Sequence, residues 1–276
     1  MPSAAENYAT AVDAYTAQQA RAQRPAGDRW AASAALFRLD PRRELEPNTA
    51  AIASLVDTDA VVIDVGGGAG RVSLPIALAC KEVINIEPSA AMRDQFAQSA
   101  ADAGIANARA IDGAWPEAAT SVEGDVVMLA NVTYFVRDIV PFVRALDRCA
   151  RKRVIIAVWS VPPPNDAASV FELLHGEPHA PVPGHRELLP VLWELGLLPE
   201  VRVLPDTFRT SRSRPPTLDD AIAFALRAAN AEGLPGAAET VKAHFDQLFS
   251  TIPGGFAPAW APYSREMLIT WTKDER

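Results

Sequence analysis

Residues 60–70 read Ala60-Val-Val-Ile-Asp-Val-Gly-Gly-Gly-Ala-Gly70, an apolar run that ends in an acid and a cluster of glycines. Val61, Val62, Ile63 and Val65 show little polar alternation, the pattern of a strand covered on both faces in a parallel sheet. From Arg71 onward Val72, Leu74, Ile76, Ala77 and Leu78 read as a helix, so the glycines lie on a tight turn between strand and helix. Glycine suits such a turn because it accepts positive φ and lets the backbone come within contact distance of a ligand. Free N–H groups at the following helix start favour a negatively charged ligand group. Gly66, Gly68 and Gly70 fall at every second position, whereas the dinucleotide fingerprint G-x-G-x-x-G wants its third glycine at position 71, which is Arg71.

Outward from this turn the strand and helix texts alternate. A second apolar run, Glu82-Val-Ile-Asn-Ile-Glu87, ends in an acid before Pro88, and a carboxylate at the tip of a neighbouring strand can accept both hydroxyls of a ribose. Ala108-Arg-Ala-Ile-Asp-Gly113 reads as a third strand and Asp125-Val-Val-Met-Leu-Ala-Asn131 as a fourth. A helix over 139–150 and a fifth strand, Arg153-Val-Ile-Ile-Ala-Val-Trp159, follow. Such alternation predicts a parallel sheet with right-handed connections.

In order and spacing, residues 48–160 resemble the class I S-adenosylmethionine (SAM) dependent methyltransferases. That family's acid-x-Gly-x-Gly-x-Gly motif matches Asp64, Gly66, Gly68 and Gly70; its strand-two acid matches Glu87 and its strand-three acid Asp112. The whole chain looks like a bacterial branch with a Phe-Arg-x-Asp-Pro-Arg-Arg lead-in at Phe37 to Arg43. The resemblance implies an α/β, Rossmann-like, mostly parallel seven-stranded sheet with helices on both faces. It implies a SAM cofactor whose methionine part lies on Gly66, Gly67, Gly68 and Gly70, with Asp64 orienting the turn and Glu87 and Pro88 at the ribose. Asp112, Gly113, Ala114 and Trp115 would form the adenine pocket, with Met92 on its other side, and Asn131 would face the methionine amino group or the acceptor. Helices before strand one often close over the cofactor and substrate in that family, which makes Tyr8, Tyr15, Trp30 and Phe37 candidate pocket walls. Two other readings share these residues: an NAD-dependent oxidoreductase, against which Arg71 stands, and a SAM-binding regulatory or assembly protein without turnover.

Composition bounds the partners. With 276 residues and 49% hydrophobic content the chain can bury a sizeable core. A net charge of −8 argues against a nucleic-acid partner, which needs clustered Lys and Arg. The two basic clusters are Arg151-Lys-Arg153, read as lying at a helix C-terminus where cations suit the dipole, and Arg209 to Arg214, read as a solvated loop. Cys80 and Cys149 read as buried thiols of a cytoplasmic protein, Met1 to Ala20 does not read as a signal peptide, and no apolar stretch is long enough for a membrane span.

Expected domains are an N-terminal helical cap, 1–47, and a SAM-binding domain, 48–276, with a helical insertion at about 215–255. The cap holds a helix over 6–23 broken by Pro25-Ala-Gly27, a second from Asp28 to Phe37, a short turn at Asp40-Pro41, and Asn48 as cap of a helix over 49–56. After Pro162-Pro-Pro164 come helices over 167–174 and 187–195, a sixth strand over 201–209, helices over 217–231 and 237–252, and a last strand over 264–272. The insertion reads equally as a lid, a packing addition or a homodimer surface.

The chemistry after strand four is Asn131-Val-Thr-Tyr-Phe135, without the Pro-Pro-aromatic signature of base-modifying amino methyltransferases, so a small organic acceptor is expected rather than a nucleic-acid amine. Catechol-type relatives place metal-binding carboxylates after strands four and five; Asn131 and Ser160 stand near those places and no metal is expected. Tyr134 and His175 are the candidate bases and His179 a candidate substrate contact. His175, His179 and His185 lie among prolines that deny a regular metal geometry, and His244, on a helical stretch, reads as structural.

Overall fold

The structure is a computed structural model that describes residues 1–21, 28, 30–31, 33–205, 214–260 and 263–273. Strands β1 (Val61–Val65), β2 (Glu82–Glu87), β3 (Ala108–Asp112), β4 (Gly124–Ala130), β5 (Ala150–Trp159), β6 (Glu200–Val203) and β9 (Glu266–Thr272) form one sheet in the order β3-β2-β1-β4-β5-β9-β6. Neighbours from β3 to β5 pair in parallel, and β9 runs antiparallel to both β5 and β6. The expected mostly parallel, seven-stranded α/β sheet is therefore the observed one.

Strand periodicity sorts the core onto two faces. Ile63, Val65, Val127, Leu129, Val154, Ile156 and Val158 point to one, where α1 (Ala4–Arg21), α5 (Ile139–Cys149) and α7 (His185–Glu194) bring Tyr8, Val12, Phe142, Leu146, Leu188 and Val191. Val62, Val126, Met128, Ile155 and Ala157 point to the other, against α2 (Pro47–Ala53), α3 (Ser73–Ala77) and α4 (Ala90–Asp102) through Ile52, Leu74, Ile76 and Phe96. A third core gathers α6 (Ala168–His175), α8 (Leu218–Ala228), α9 (Ala237–Ala243), α10 (Phe245–Leu248) and the hairpin β7 (Phe249–Ile252) with β8 (Gly255–Pro258).

Several local expectations give way to tertiary or turn chemistry. The segment expected as a helix from Asp28 to Phe37 has a turn at Trp30–Ala31 and a single 3-10 turn, Ala34–Phe37, because Asp28 spends its carboxylate on the Trp30 N–H and on α4. Helix α2 starts at Pro47, whose fixed φ suits a first helical position, with Glu46 at the N-cap. Asn48 is instead buried and donates to the Glu266 carboxylate at 2.7 Å. The helix expected over 237–252 breaks at His244, and Phe249–Ile252 pairs as a strand through a Pro253-Gly254 turn with Gly254 at φ +82°. Arg151, Lys152 and Arg153 sit within β5, where Arg151 pairs with Asp125 and Lys152 lies near Asp57, so they are strand residues rather than helix-end cations. The breaker Pro25-Ala-Gly27, the end of the expected sixth strand and Arg209 lie outside the described residues. No helix among the described residues is long and apolar enough to cross a membrane.

Candidate active site

The turn after β1 lies where three strand tips meet. In the ladder Val65 is level with Ile86, and Glu87 is level with Asp112, so the acids that end β2 and β3 are neighbours beside the glycines. Asp64 is buried beneath the turn, and a Cβ on Gly67 would lie 2.0 Å from its Oδ2. Only glycine fits there. Burial pushes the Asp64 carboxyl up to about 7, the nearby Ser73 hydroxyl opposing and the Glu87 charge adding. Gly68 has φ +56°, and the nearest atom to a Cβ built on it is Met92 Sδ at 3.6 Å.

Two side chains from β2 hold this turn. The Gly67 N–H donates to Asn85 Oδ1 at 3.1 Å, and Asn85 Nδ2 donates to the Gly68 carbonyl at 2.9 Å. The Gly68 N–H donates to Glu87 Oε2 at 3.0 Å, while Oε1 accepts from the Ser89 N–H at 2.8 Å. A carboxylate offers about four lone-pair sites, so these two bonds orient Glu87 and leave acceptor capacity for a ligand diol. Burial raises the Glu87 pKa, against the lowering effect of the Ser89 and Gly68 N–H groups and of Arg93.

On the β3 side the Asp112 side chain is 73% exposed and pairs with Arg93 Nη1 at 2.9 Å. The same guanidinium donates to the Glu87 and Pro88 carbonyls, so one α4 residue links both acid-tipped strands. Ala114 is exposed and Gly113 packs near Ala118, whereas the Trp115 indole turns onto α5 and donates to the Phe142 carbonyl at 3.2 Å. Trp115 therefore serves the core face of α5. Met92 is buried with Ala34 and Ala69 under Trp30 and Phe37, whose rings meet edge to face at 5.5 Å.

Around the β4 tip the picture is aromatic. Asn131 adopts φ +64°, its N–H donates to the Ala157 carbonyl, and its Oδ1 accepts from the Tyr134 hydroxyl at 2.8 Å. That hydroxyl also accepts from the Trp159 N–H at 2.6 Å and the ring is fully buried. Tyr134 thus bridges the β4 and β5 tips, and its buried hydroxyl, expected as a base, is engaged with Asn131 and the Trp159 N–H. Tyr8 is likewise a core residue, 0% exposed, with its hydroxyl donating to the Thr133 carbonyl at 2.8 Å. His175 stacks on Phe171 at 4.1 Å and its Nε2 meets the Ala229 carbonyl at 2.9 Å, which ties α6 to the end of α8 and engages the ring of this second candidate base. Tyr15, Phe135 and His179 do come together, with Tyr15 centroids 5.9 Å from Phe135 and 6.0 Å from His179. His179 Nδ1 is buried without a hydrogen-bond partner, and burial lowers its pKa, which favours the neutral imidazole. Trp30 and Phe37 stand instead on the Met92 side, over the glycine turn. Among the described residues, no group of three or more His, Cys, Asp and Glu could hold a metal ion.

Asn85 and Asp28 are among the residues of this site that the sequence left unmarked, as are Ser89 and Arg93. Asn85 had a signal, a lone amide in the apolar run Val83-Ile-Asn-Ile86. Asp28 had none: its Oδ2 accepts from the Ser89 hydroxyl at 2.7 Å across 61 positions of sequence. Together with Arg38, paired with Asp102, and Arg42, whose guanidinium donates to the Ala103 carbonyl, it makes contacts at both ends of α4.

Residues 63–158 match the family model described as a methyltransferase domain. No curated protein sequence matches the chain. Among solved structures, the YcgJ protein of a Bacillus species aligns with TM-score 0.51 at 16% identity, over 83% of this chain and 98% of that one. A provisionally assigned methyltransferase from Bacillus halodurans C-125 aligns with TM-score 0.53 at 14% identity, over 81% and 95% of the two chains. A SAM-dependent methyltransferase from Thiobacillus denitrificans, solved with S-adenosylhomocysteine, gives TM-score 0.47 at 16% identity, over 86% and 94%. At these identities the structural likeness to the two Bacillus proteins speaks for the fold alone, and over residues 63–158 the chain matches a methyltransferase domain.

Proposed function

We propose that the chain transfers the methyl group of SAM to a small organic acceptor by direct in-line displacement. The observation that carries this reading is the Glu87 carboxylate, oriented by the Gly68 and Ser89 N–H groups at the tip of β2. It stands one strand from Asp112 and directly beside the glycine turn. In this reading Gly66, Gly67, Gly68 and Gly70 hold the methionine part, Glu87 takes the ribose hydroxyls, and Asp112 with Ala114 borders the adenine. Met92 packs below the turn, and Asn131 faces the reacting end. The residues fit the group: Gly68 presents no Cβ, and Glu87 retains acceptor sites. Bound there, SAM supplies a methyl whose carbon–sulfur bond breaks with its electron pair left on sulfur as an acceptor lone pair forms the new bond and the acceptor's proton passes to solvent or a base.

The protein's share is then placement, which can contribute on the order of 7 to 11 kcal/mol. Tyr15, Phe135 and His179 supply an apolar wall beyond Asn131 with one buried imidazole nitrogen, a surface suited to a small organic molecule. The net charge of −8 and the Asn131-Val-Thr-Tyr-Phe135 text weigh against a nucleic-acid acceptor. The test is calorimetric titration with S-adenosylhomocysteine beside NAD. One-to-one binding of the former, weakened at least 100-fold in Glu87→Ala, is expected, since two charge-assisted bonds are lost at roughly 1.5 to 3 kcal/mol each. Binding of NAD alone, or of neither ligand by folded protein, would overturn the proposal.

A further inference from the structure

Asn85 is 0% exposed, so its side chain cannot be reached by a bound ligand. It nevertheless makes two hydrogen bonds to consecutive residues of the ligand turn, accepting from the Gly67 N–H at 3.1 Å and donating to the Gly68 carbonyl at 2.9 Å. A primary amide is the side-chain group that offers an acceptor and a donor side by side, so it copies the pairing a neighbouring strand would give and extends the β1–β2 ladder past Val65↔Ile86 into the turn. A Cβ on Gly67 would lie 2.7 Å from Asn85 Oδ1, so the turn's fit onto the amide leaves no slack.

Glu87 is anchored differently. One of its oxygens is held from the far side by the Ser89 N–H, and Ser89 is held in turn by Asp28. The ribose acid therefore keeps an anchor that does not pass through Asn85, while the main chain of Gly67 and Gly68 rests on Asn85.

We infer that Asn85 is a positioning residue for the methionine half of SAM: it fixes the Gly67–Gly68 main chain in its binding geometry, and Glu87 fixes the ribose half separately. This rests on the cofactor placement proposed above and adds a division of labour within it. Loss of the amide leaves Gly67 and Gly68 free to sample other conformations, a freedom that glycine has in abundance. The cost falls on ligand groups bound by the turn and spares those bound by Glu87.

S-adenosylhomocysteine and 5′-methylthioadenosine separate the two halves, because the second has the adenosine and the thioether without the amino acid. Calorimetry on the wild type, Asn85→Ala and Asn85→Ser gives the affinity ratio of the two ligands in each. The expected result is tighter binding of S-adenosylhomocysteine by the wild type, a ratio reduced at least 10-fold in Asn85→Ala, and a smaller reduction in Asn85→Ser, whose hydroxyl can restore one bond. Loss of stability alone leaves the ratio in the folded protein untouched. An unchanged ratio in a folded Asn85→Ala overturns the inference; if that variant does not fold, an unchanged ratio in Asn85→Ser does so. Failure of the wild type to bind either ligand overturns the cofactor placement itself, a different outcome from an unchanged ratio.

Discussion

The two halves of the sheet's C-terminal edge are built by opposite means. At the tips of β1 and β2 the turn is held by main-chain groups and short polar side chains: Asn85 and Glu87 bond Gly67 and Gly68, and Asp64 lies beneath them. Every one of these residues falls within 64–89. At the tips of β4 and β5 the Tyr134 hydroxyl bridges Asn131 and Trp159, and the wall beyond is made of rings from α1, the β4 loop and the 176–184 loop. The first region is rigid because polar groups satisfy one another at fixed distances; the second is shaped by which distant elements dock. In the proposed reading this difference suits a constant cofactor beside a variable acceptor.

Gly67→Ala strikes hardest at the first region. The new Cβ meets Asp64 Oδ2 at 2.0 Å and Asn85 Oδ1 at 2.7 Å, so the turn must move. Overpacking of this kind costs about 1 to 3 kcal/mol, and S-adenosylhomocysteine binding should vanish from the calorimeter even where the protein still folds. Retained binding would mean that the polar half is as adaptable as the aromatic one.

Tyr134→Phe asks the same of the second region. It strips a partner from the Asn131 amide and from the half-buried Trp159 N–H, at about 1 to 3 kcal/mol in urea unfolding. Cofactor affinity should change less than threefold. A variant of wild-type stability would show that the strut carries no weight.

The polar half has a pH response of its own. Asp64 has its carboxyl raised from 3.8 to about 7 in the folded protein, so between those values the folded state holds a proton that the unfolded chain has released. Its contribution to stability is therefore greatest at the acid end and falls as pH rises to about 7, with a slope of at most about 1.4 kcal/mol per pH unit for one proton. Asp64→Asn should flatten that part of the stability profile relative to wild type, read by urea midpoints across the same range. Parallel profiles for the two proteins would place the titration elsewhere.

The smallest effect is expected outside both regions. Arg38 and Asp102 are 38% and 50% exposed, and an ion pair so open to solvent is worth less than about 1 kcal/mol. Arg38→Ala should shift the melting temperature only slightly and leave S-adenosylhomocysteine affinity within twofold. A larger loss of affinity would show that the 28–43 segment is part of the cofactor site and not only its support.

The sequence by itself determined the sheet and the polar glycine turn on which the cofactor is proposed to lie. A β-branched strand, an acid, alternate glycines and a second acid-tipped strand carry their meaning in residue type and short spacing, and parallel pairing then brings Glu87 and Asp112 to one edge. Even Asn85, overlooked, stood in plain sight as an amide in an apolar strand. Only the tertiary structure decided the aromatic side. Tyr134 became a strut because its hydroxyl meets the Trp159 main chain, 25 residues away, and His175 turned to Ala229, 54 residues away. His179 came to Tyr15 because Gln18 on α1 bonds the Pro178 carbonyl and the Ala180 N–H. Asp28 likewise reached Ser89 only once the chain had closed over α4. A side chain's role at such places depends on which main-chain groups remain unpaired after the helices dock, and that is fixed by packing over long separations and not by any local pattern.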